Sequence, residues 1–308
     1  MHMKIIVTHM SPDWDAIGSV WLIRKFLPGW DSARVHFVPA GQRIKDKRSN
    51  LPAGEAGIKD EDPIEIMGED EVIHVDTGLG PLDHHQVYDT SLSATSRTWD
   101  FVRSEIEKSG NKLTPEHVEA VTRIVAIIVD TDHFGEVFWK NPAADYHEFS
   151  LLGLMEGYKQ LKQGNDDAYL NFGLECMDAL LHTFENRIWA EREIREKGVI
   201  FETKYGKGIG FETVNDTVLK LSQKMGYVIV VRKDPRKGYV RIKTLPASKD
   251  NKGIDLTLVY EQLSKIDPDA TWFLHVSKKM LLNGTPKNPK MRPTKLKLGD
   301  IIRVLERI

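Results

Sequence analysis

After Lys4 the run Ile5-Ile6-Val7 has no polar break, and from 16 to 26 the apolar positions recur at helical spacing until Pro28-Gly29. A short unbroken run predicts a strand buried on both faces, and the recurrence predicts a helix. Residues 34–38 and 72–75 repeat the strand signal. Residues 42–70 are polar, acidic and rich in Gly and Pro, and 77–91 carry Gly, Pro and paired His, so both read as loops. Helices are expected over 93–109 and 115–129. Strands alternating with helices predict a parallel sheet with helices on both faces.

A helical pattern follows over 143–162 and again over 166–197, where Leu170, Leu174, Met177, Leu181 and Ile188 form one stripe. Past Gly198 the texture turns to β: strands over 199–203, 208–213, 227–232, 239–244 and 271–276, with helices over 214–225, 256–265 and 297–307. The expected fold class is therefore α/β in two parts. Residues 1–196 form a parallel-sheet domain ending in a long helical linker, and 197–308 form a smaller α/β domain, with a cleft between them.

The 308 residues suffice for two cores, and 41% hydrophobic against 29% charged residues is a globular balance. No apolar run approaches the ~20 residues of a membrane span, and no long apolar stretch marks a secretory leader. Cys176 is the only cysteine, which excludes an intramolecular disulfide and a cysteine-rich zinc site. A cytoplasmic protein without membrane partners is expected. The net charge of −2 conceals an asymmetry: residues 1–195 sum to −13 and 196–308 to +11. An acidic half collects cations and a basic half collects anions.

That asymmetry gives weight to the polar residues at the predicted strand ends. His9, Asp13 and Asp15 follow the first strand, Asp76 follows the third, His84 lies in Asp83-His84-His85, and Asp130 follows the apolar run 124–129. Ligands of open α/β sheets bind outside the carboxyl ends of the strands. Asp13 and Asp15, at alternate positions, can point two carboxylates into one crevice. Asp76 can bridge two cations from another strand. Mixed imidazole and carboxylate ligands without thiolate suit two divalent ions, Mn²⁺ preferred, with Mg²⁺ or Co²⁺ as substitutes.

The segments Thr8-His9-Met10-Ser11-Pro12-Asp13-Trp14-Asp15, Val75-Asp76-Thr77-Gly78, Asp83-His84-His85 and Val129-Asp130 resemble, in order, the motifs of the DHH phosphoesterase superfamily. That superfamily includes RecJ-type exonucleases, nano-RNA and cyclic-dinucleotide phosphodiesterases, exopolyphosphatases and family II pyrophosphatases. The resemblance covers residues 4 to about 135. It implies that His9, Asp13 and Asp76 hold one Mn²⁺, and that Asp15, Asp76, His84 and Asp130 hold the other. It implies that His85 faces the substrate phosphate as acid or charge stabiliser, with Asp83 orienting the histidines from behind. The implied reaction is hydrolysis of a phosphodiester by a water activated between two metals, with Asp76 and His85 as catalytic groups.

The second half departs from that pattern, because no Gly-Gly-His is present. Its nearest analogue is Leu274-His275-Val276-Ser277-Lys278-Lys279. Residues 278–297 carry Lys278, Lys279, Lys287, Lys290, Arg292, Lys295 and Lys297 without an acidic residue, a segment read as flexible and basic. Candidate substrate contacts are His133, Arg241, Lys243, His275, Lys278, Lys279 and Arg292. The expected partner is a phosphate-containing small molecule or a short oligonucleotide, and a homodimer is compatible with the sequence. Two alternatives stand beside the phosphodiesterase: a pyrophosphatase or exopolyphosphatase acting on anhydrides, and a regulatory protein that keeps metal or nucleotide but lacks turnover. A net charge of −2 makes a weak track for a long duplex.

Overall fold

β1 (Lys4–His9) lies at the centre of the first sheet of the computed structural model, which describes residues 3–44, 62–247, 253–285 and 288–307. It pairs in parallel with β2 (Arg34–Val38). On its other side it pairs in parallel with the later strand Asp70–His74, which in turn carries the antiparallel strand Ile64–Met67. Numbered in chain order, Ile64–Met67 is β3 and Asp70–His74 is β4, giving the order β2-β1-β4-β3. The sheet is therefore mixed, and β3 falls inside the segment read as a loop. Of that segment, 45–61 lie outside the described residues. Polar Glu65 at its centre masks β3 in the sequence; it pairs with Arg43 and its carboxylate lies 3.0 Å from His74 Nδ1.

Period-2 geometry sends Ile5 and Val7 to one face of β1, where Val7 packs with Val38, Val72, Ile44 and Met67. Among the described residues no helical side chain joins that cluster.

α1 (Trp14–Phe26) begins where Asp13 accepts hydrogen bonds from the backbone N–H groups of Asp15 and Ala16, both at 3.0 Å. It packs against α2 (Ala94–Lys108) and α3 (Pro115–Asp132), which also pack on each other. Ser93 and Ser96 cap α2 reciprocally, and Thr114 caps α3 ahead of Pro115. A Cβ at Gly18 would lie 2.7 Å from Thr95 Oγ1 and 2.9 Å from Ile128 Cδ1, so α1 reaches its neighbours only as glycine. Gly18→Ala is expected to lower stability by about 1–2 kcal/mol, overpacking exceeding the gain in helix propensity. A urea midpoint unchanged or raised would contradict this packing.

A single 3₁₀ turn (Gly135–Phe138), α4 (Leu151–Leu161) and the long α5 (Asp166–Lys197) follow. The helix expected over 143–162 begins only at Leu151, because Asn141 to Ser150 fold as turns and Ser150 is the cap. The chain divides into two compact units inside α5, Met1–Glu185 and Asn186–Ile308, rather than at its end. The last turns of α5 belong to the second unit because Ala190 and Ile194 are buried with Ile209, Phe211, Val218 and Leu219.

In the second unit, β5 (Val199–Thr203), β6 (Gly206–Glu212), α6 (Thr217–Lys224), β7 (Ile229–Lys233), β8 (Val240–Thr244), α7 (Thr257–Ile266), β9 (Trp272–Leu274), β10 (Met280–Asn283) and α8 (Leu298–Leu305) build a six-stranded sheet of order β5-β6-β7-β8-β10-β9. Among the described residues of this sheet only β6 and β7 pair in parallel. Ile229 and Val231 pack with Val259, Leu263, Ile301 and Leu305, whereas Val230 packs on the α5–α6 face, so this sheet is covered on both sides. β10 lies within the segment read as flexible and basic, because cross-strand pairing with β8 and β9 outweighs the flanking lysines. Lys287 of that segment lies outside the described residues. No helix among the described residues is long and apolar enough to cross a membrane.

Candidate metal centre

The carboxyl ends of β1 and β4 bring His9 and Asp76 side by side, with His9 Nε2 3.1 Å from Asp76 Oδ2 and 3.7 Å from Asp13 Oδ2. His9 Nδ1 donates to the Met10 carbonyl at 2.8 Å, which directs Nε2 at the carboxylates. Asp76 sits at φ +53 in the left-handed region, a strained position for a non-glycine residue, and is buried. Its Oδ1 has no hydrogen-bond partner among the described residues. That atom lies 3.9 Å from His84 Nε2 and 3.7 Å from His85 Nδ1. An orphaned carboxylate oxygen buried among imidazoles is the donor a cation satisfies.

His84 and His85 stand on the loop after β4 and are fastened separately. His84 is buried, and its Nδ1 donates to the Leu92 carbonyl at 3.1 Å, leaving Nε2 to face the carboxylates. His85 is mostly exposed and its Nδ1 donates to Asp83 Oδ1 at 2.7 Å. Asp83 is buried and also accepts from the backbone N–H of Leu79 and His85. Asp15 stands at the edge of the cluster, its Oδ2 3.9 Å from His84 Nε2. Its two oxygens accept from Ala94 N and Thr95 N, at 2.7 and 2.8 Å, at the positive end of α2.

Three groups converge closely enough to hold a metal ion: His9, Asp13 and Asp76; Asp76, His84 and His85; and His84, Asp132 and His133. Asp76 belongs to two of them and His84 to two. Six of the residues expected from sequence, His9, Asp13, Asp76, His84, His85 and His133, are therefore brought together, and Asp15 borders them. Asp130 is not among them. Its carboxylate instead accepts from Trp139 Nε1 at 2.8 Å, and Asp132 takes the inward position with Oδ2 3.5 Å from His84 Nε2. Helical phase explains the exchange. α3 continues through Asp132, and its buried face runs through Val121, Ile124 and Ile128, so the side chain four residues after Ile128 stays on that face. A carboxylate two residues earlier is turned most of the way round. Asp132→Asn is expected to weaken Mn²⁺ binding about tenfold or more, and Asp130→Asn by less than about threefold, in parallel calorimetric titrations. Equal losses would return Asp130 to the ligand set.

His133, a candidate for substrate, donates from Nε2 to the same Leu92 carbonyl at 2.8 Å and so braces the loop that orients His84. The candidates in the second unit are partly engaged locally. Arg241 pairs with Asp216, Lys278 Nζ lies 3.3 Å from Asp255, and His275 Nδ1 lies 2.8 Å from Ser277 Oγ. Lys243 shares the Arg241 face of β8, Lys279 runs past Gly253, and Arg292 is exposed.

Crowding of carboxylates sets the protonation. Burial, with the charges of Asp15 and Asp13, pushes Asp76 up to about 6 against the pull of His9. Burial and the charge of Asp15 push Asp132 up to about 7, although His84 opposes this. Burial disfavours a charged His9, yet Asp13 and Asp76 hold it up at about 11. Burial likewise works against the Asp13 carboxylate, which His9 nevertheless holds at about 2. Burial is outweighed at His85 too, where Asp83 raises the imidazole above its ordinary value. Without a cation the cluster keeps protons to offset its own negative charge, which is the electrostatic signature of a cation site.

No known family model matches this chain, and no curated protein sequence matches it significantly.

Proposed function

We propose that this protein is a metal-dependent hydrolase of the DHH phosphoesterase type that cleaves phosphodiester bonds of nucleotides or short oligonucleotides, with two Mn²⁺ ions as its preferred cofactor. The observation that carries the reading is Asp76: a strained, buried carboxylate shared by two converging ligand groups, with one oxygen unpartnered. His9, Asp13 and Asp76 would hold one ion, and Asp76, His84 and Asp132, with Asp15 beside them, the other. Divalent ions so held would neutralise phosphate oxygens and acidify a water.

The protein's own groups supply the rest. His85 is exposed and held through Nδ1 by Asp83, which raises its pKa above the ordinary value and directs Nε2 away from Asp83. In its protonated form that imidazole would stabilise charge on phosphate and return a proton to the leaving oxygen. His84 and His9 keep fixed ring orientations through the Leu92 and Met10 carbonyls.

The test is Mn²⁺-dependent release from bis(p-nitrophenyl) phosphate, short oligonucleotides, cyclic dinucleotides, pyrophosphate and polyphosphate. Diester cleavage that requires Mn²⁺ is expected. Turnover confined to the anhydrides would replace the diesterase with a pyrophosphatase reading. Tight nucleotide binding with no turnover anywhere would replace it with a regulatory one.

A further inference from the structure

A cavity of about 490 Å³ opens beside the metal centre, entirely within the first unit, and shares Asp13, Asp15 and Asp132 with it. Its volume is in the range of small-molecule pockets. Apart from those three carboxylates, the rings of Trp14, Phe134, Trp139 and His147 contribute to its lining. Two of the rings are pinned. Trp139 Nε1 donates to Asp130 Oδ2 at 2.8 Å, and His147 Nε2 lies 3.2 Å from the Lys140 carbonyl, with the two ring centres 6.0 Å apart. The remaining charged lining groups, Glu136, Glu148 and Glu156, are carboxylates, and neither Lys nor Arg lines the space. Glu148 and Glu156 are exposed, and neither carboxylate has an ion-pair or hydrogen-bond partner among the described residues.

This lining sorts ligands by charge and shape. Phosphate is repelled. A bare divalent ion needs several oxygens converging on one point, and Glu136, Glu148 and Glu156 enter none of the groups close enough to hold one. Their charge is instead spread around the space, among the rings. Indole and phenyl rings offer a metal ion no lone pair, but their quadrupole attracts a cation whose charge is dispersed over an apolar surface. An alkylammonium is such a cation: its methyl and methylene groups lie against the rings while the carboxylates meet its charge. A neutral base also stacks on rings, but it has no charge for the unpaired carboxylates to meet. Ions at the metal centre would offset Asp13, Asp15 and Asp132 and leave the other three carboxylates to the ligand.

We infer that this cavity seats an alkylammonium group, and that the centre beside it also accepts phosphodiesters whose alcohol carries such a group. The second half of the inference rests on the phosphoesterase reading. In that reaction the oxygen of water bonds to phosphorus and the bond from phosphorus to the amino-alcohol oxygen breaks. That oxygen leaves with a proton, so the products are the free amino alcohol and a phosphate monoester.

The experiment is calorimetric titration of the full chain, with and without saturating Mn²⁺, using choline, guanosine, adenosine and neohexyl alcohol, which has carbon where choline has nitrogen. Choline is expected to bind at least about tenfold more tightly than each of the others in both conditions. Glu148→Gln combined with Glu156→Gln is expected to lose about fivefold or more of choline affinity, as is Trp139→Leu, with Trp139→Phe restoring most of the latter loss. The two glutamates are exposed and unpaired, so their variant stays informative even where Trp139→Leu does not fold. No binding of choline, equal binding of neohexyl alcohol, tighter binding of a nucleoside, or an unchanged glutamate variant overturns the pocket. Choline binding that Mn²⁺ abolishes places the cation on the metal centre's own carboxylates and overturns it too. Choline carries no phosphate, so its selective binding supports the pocket even where no ester is turned over and the hydrolase reading fails. Turnover of nucleotide diesters without turnover of glycerophosphocholine overturns the second half and leaves the hydrolase reading in place.

Discussion

Asp76→Asn is expected to abolish Mn²⁺-dependent turnover, by about three orders of magnitude or more, while the metal-free protein melts no lower than wild type at pH 8. The two halves of this result have one cause. Asp76 is shared by two ligand groups, so losing its charge removes an oxygen from both. In the free protein the same charge is a burden, because burial and the neighbouring Asp15 and Asp13 push its pKa from an ordinary 3.8 to about 6. Asparagine imitates the protonated form that the empty cluster prefers. The relief is worth at most about 3 kcal/mol, set against the weakened contact to His9. Differential scanning fluorimetry with Mn²⁺ titration checks both halves on one sample. A variant that unfolds would give Asp76 a structural role, and one that still turns over with full metal content would remove it from the centre.

Mn²⁺ affinity is expected to fall at least about 100-fold between pH 8 and pH 5.5, and the rise in Tm on adding Mn²⁺ to shrink with it. Asp132 at about 7 and Asp76 at about 6 both take up protons across that interval, and a cation must displace them. The sign for the metal-free protein is opposite. A carboxyl whose folded pKa lies above its unfolded 3.8 favours the folded state while protonated. Asp76 and Asp132 therefore add stability at low pH that is lost as pH rises from about 4 through 6 and 7. His9 acts in the same direction. Its contribution is complete below the unfolded value of 6.5 and is lost as pH rises toward about 11. Metal-free protein thus melts higher at pH 5.5 than at pH 8, and metal-loaded protein reverses that order. Paired melts at the two pH values read it directly. A Tm gain from Mn²⁺ as large at pH 5.5 as at pH 8 would remove the carboxylate crowding on which the centre is built.

Strand ends were legible from local pattern because a buried strand must be apolar and a ligand at its end must be polar. The switch from Ile5-Ile6-Val7 to His9, and from Val72-Ile73 to Asp76, is visible in a few residues. β2 and α5 have the limits that their spacing predicts. β3 and β10 were hidden, because short edge or hairpin strands carrying Glu65 or flanked by Lys278 and Lys279 owe their pairing to partners far along the chain.

Residue identity and order alone determine the kind of chemistry here: imidazoles and carboxylates, no thiolate, gathered at the ends of β1 and β4. Which oxygen of the Asp130-Thr131-Asp132 run turns inward was decided by packing, since one added turn of α3 carries the phase of Ile128 to Asp132. The neighbouring cavity was decided the same way. Trp14, Glu136 and Trp139 have no common spacing in the sequence, and only the closing of the chain makes them walls of one space. Local pattern reports what a side chain is made of and its distance from a strand end. Direction depends on helical phase and on contacts between distant segments, which arise only when the chain has closed on itself.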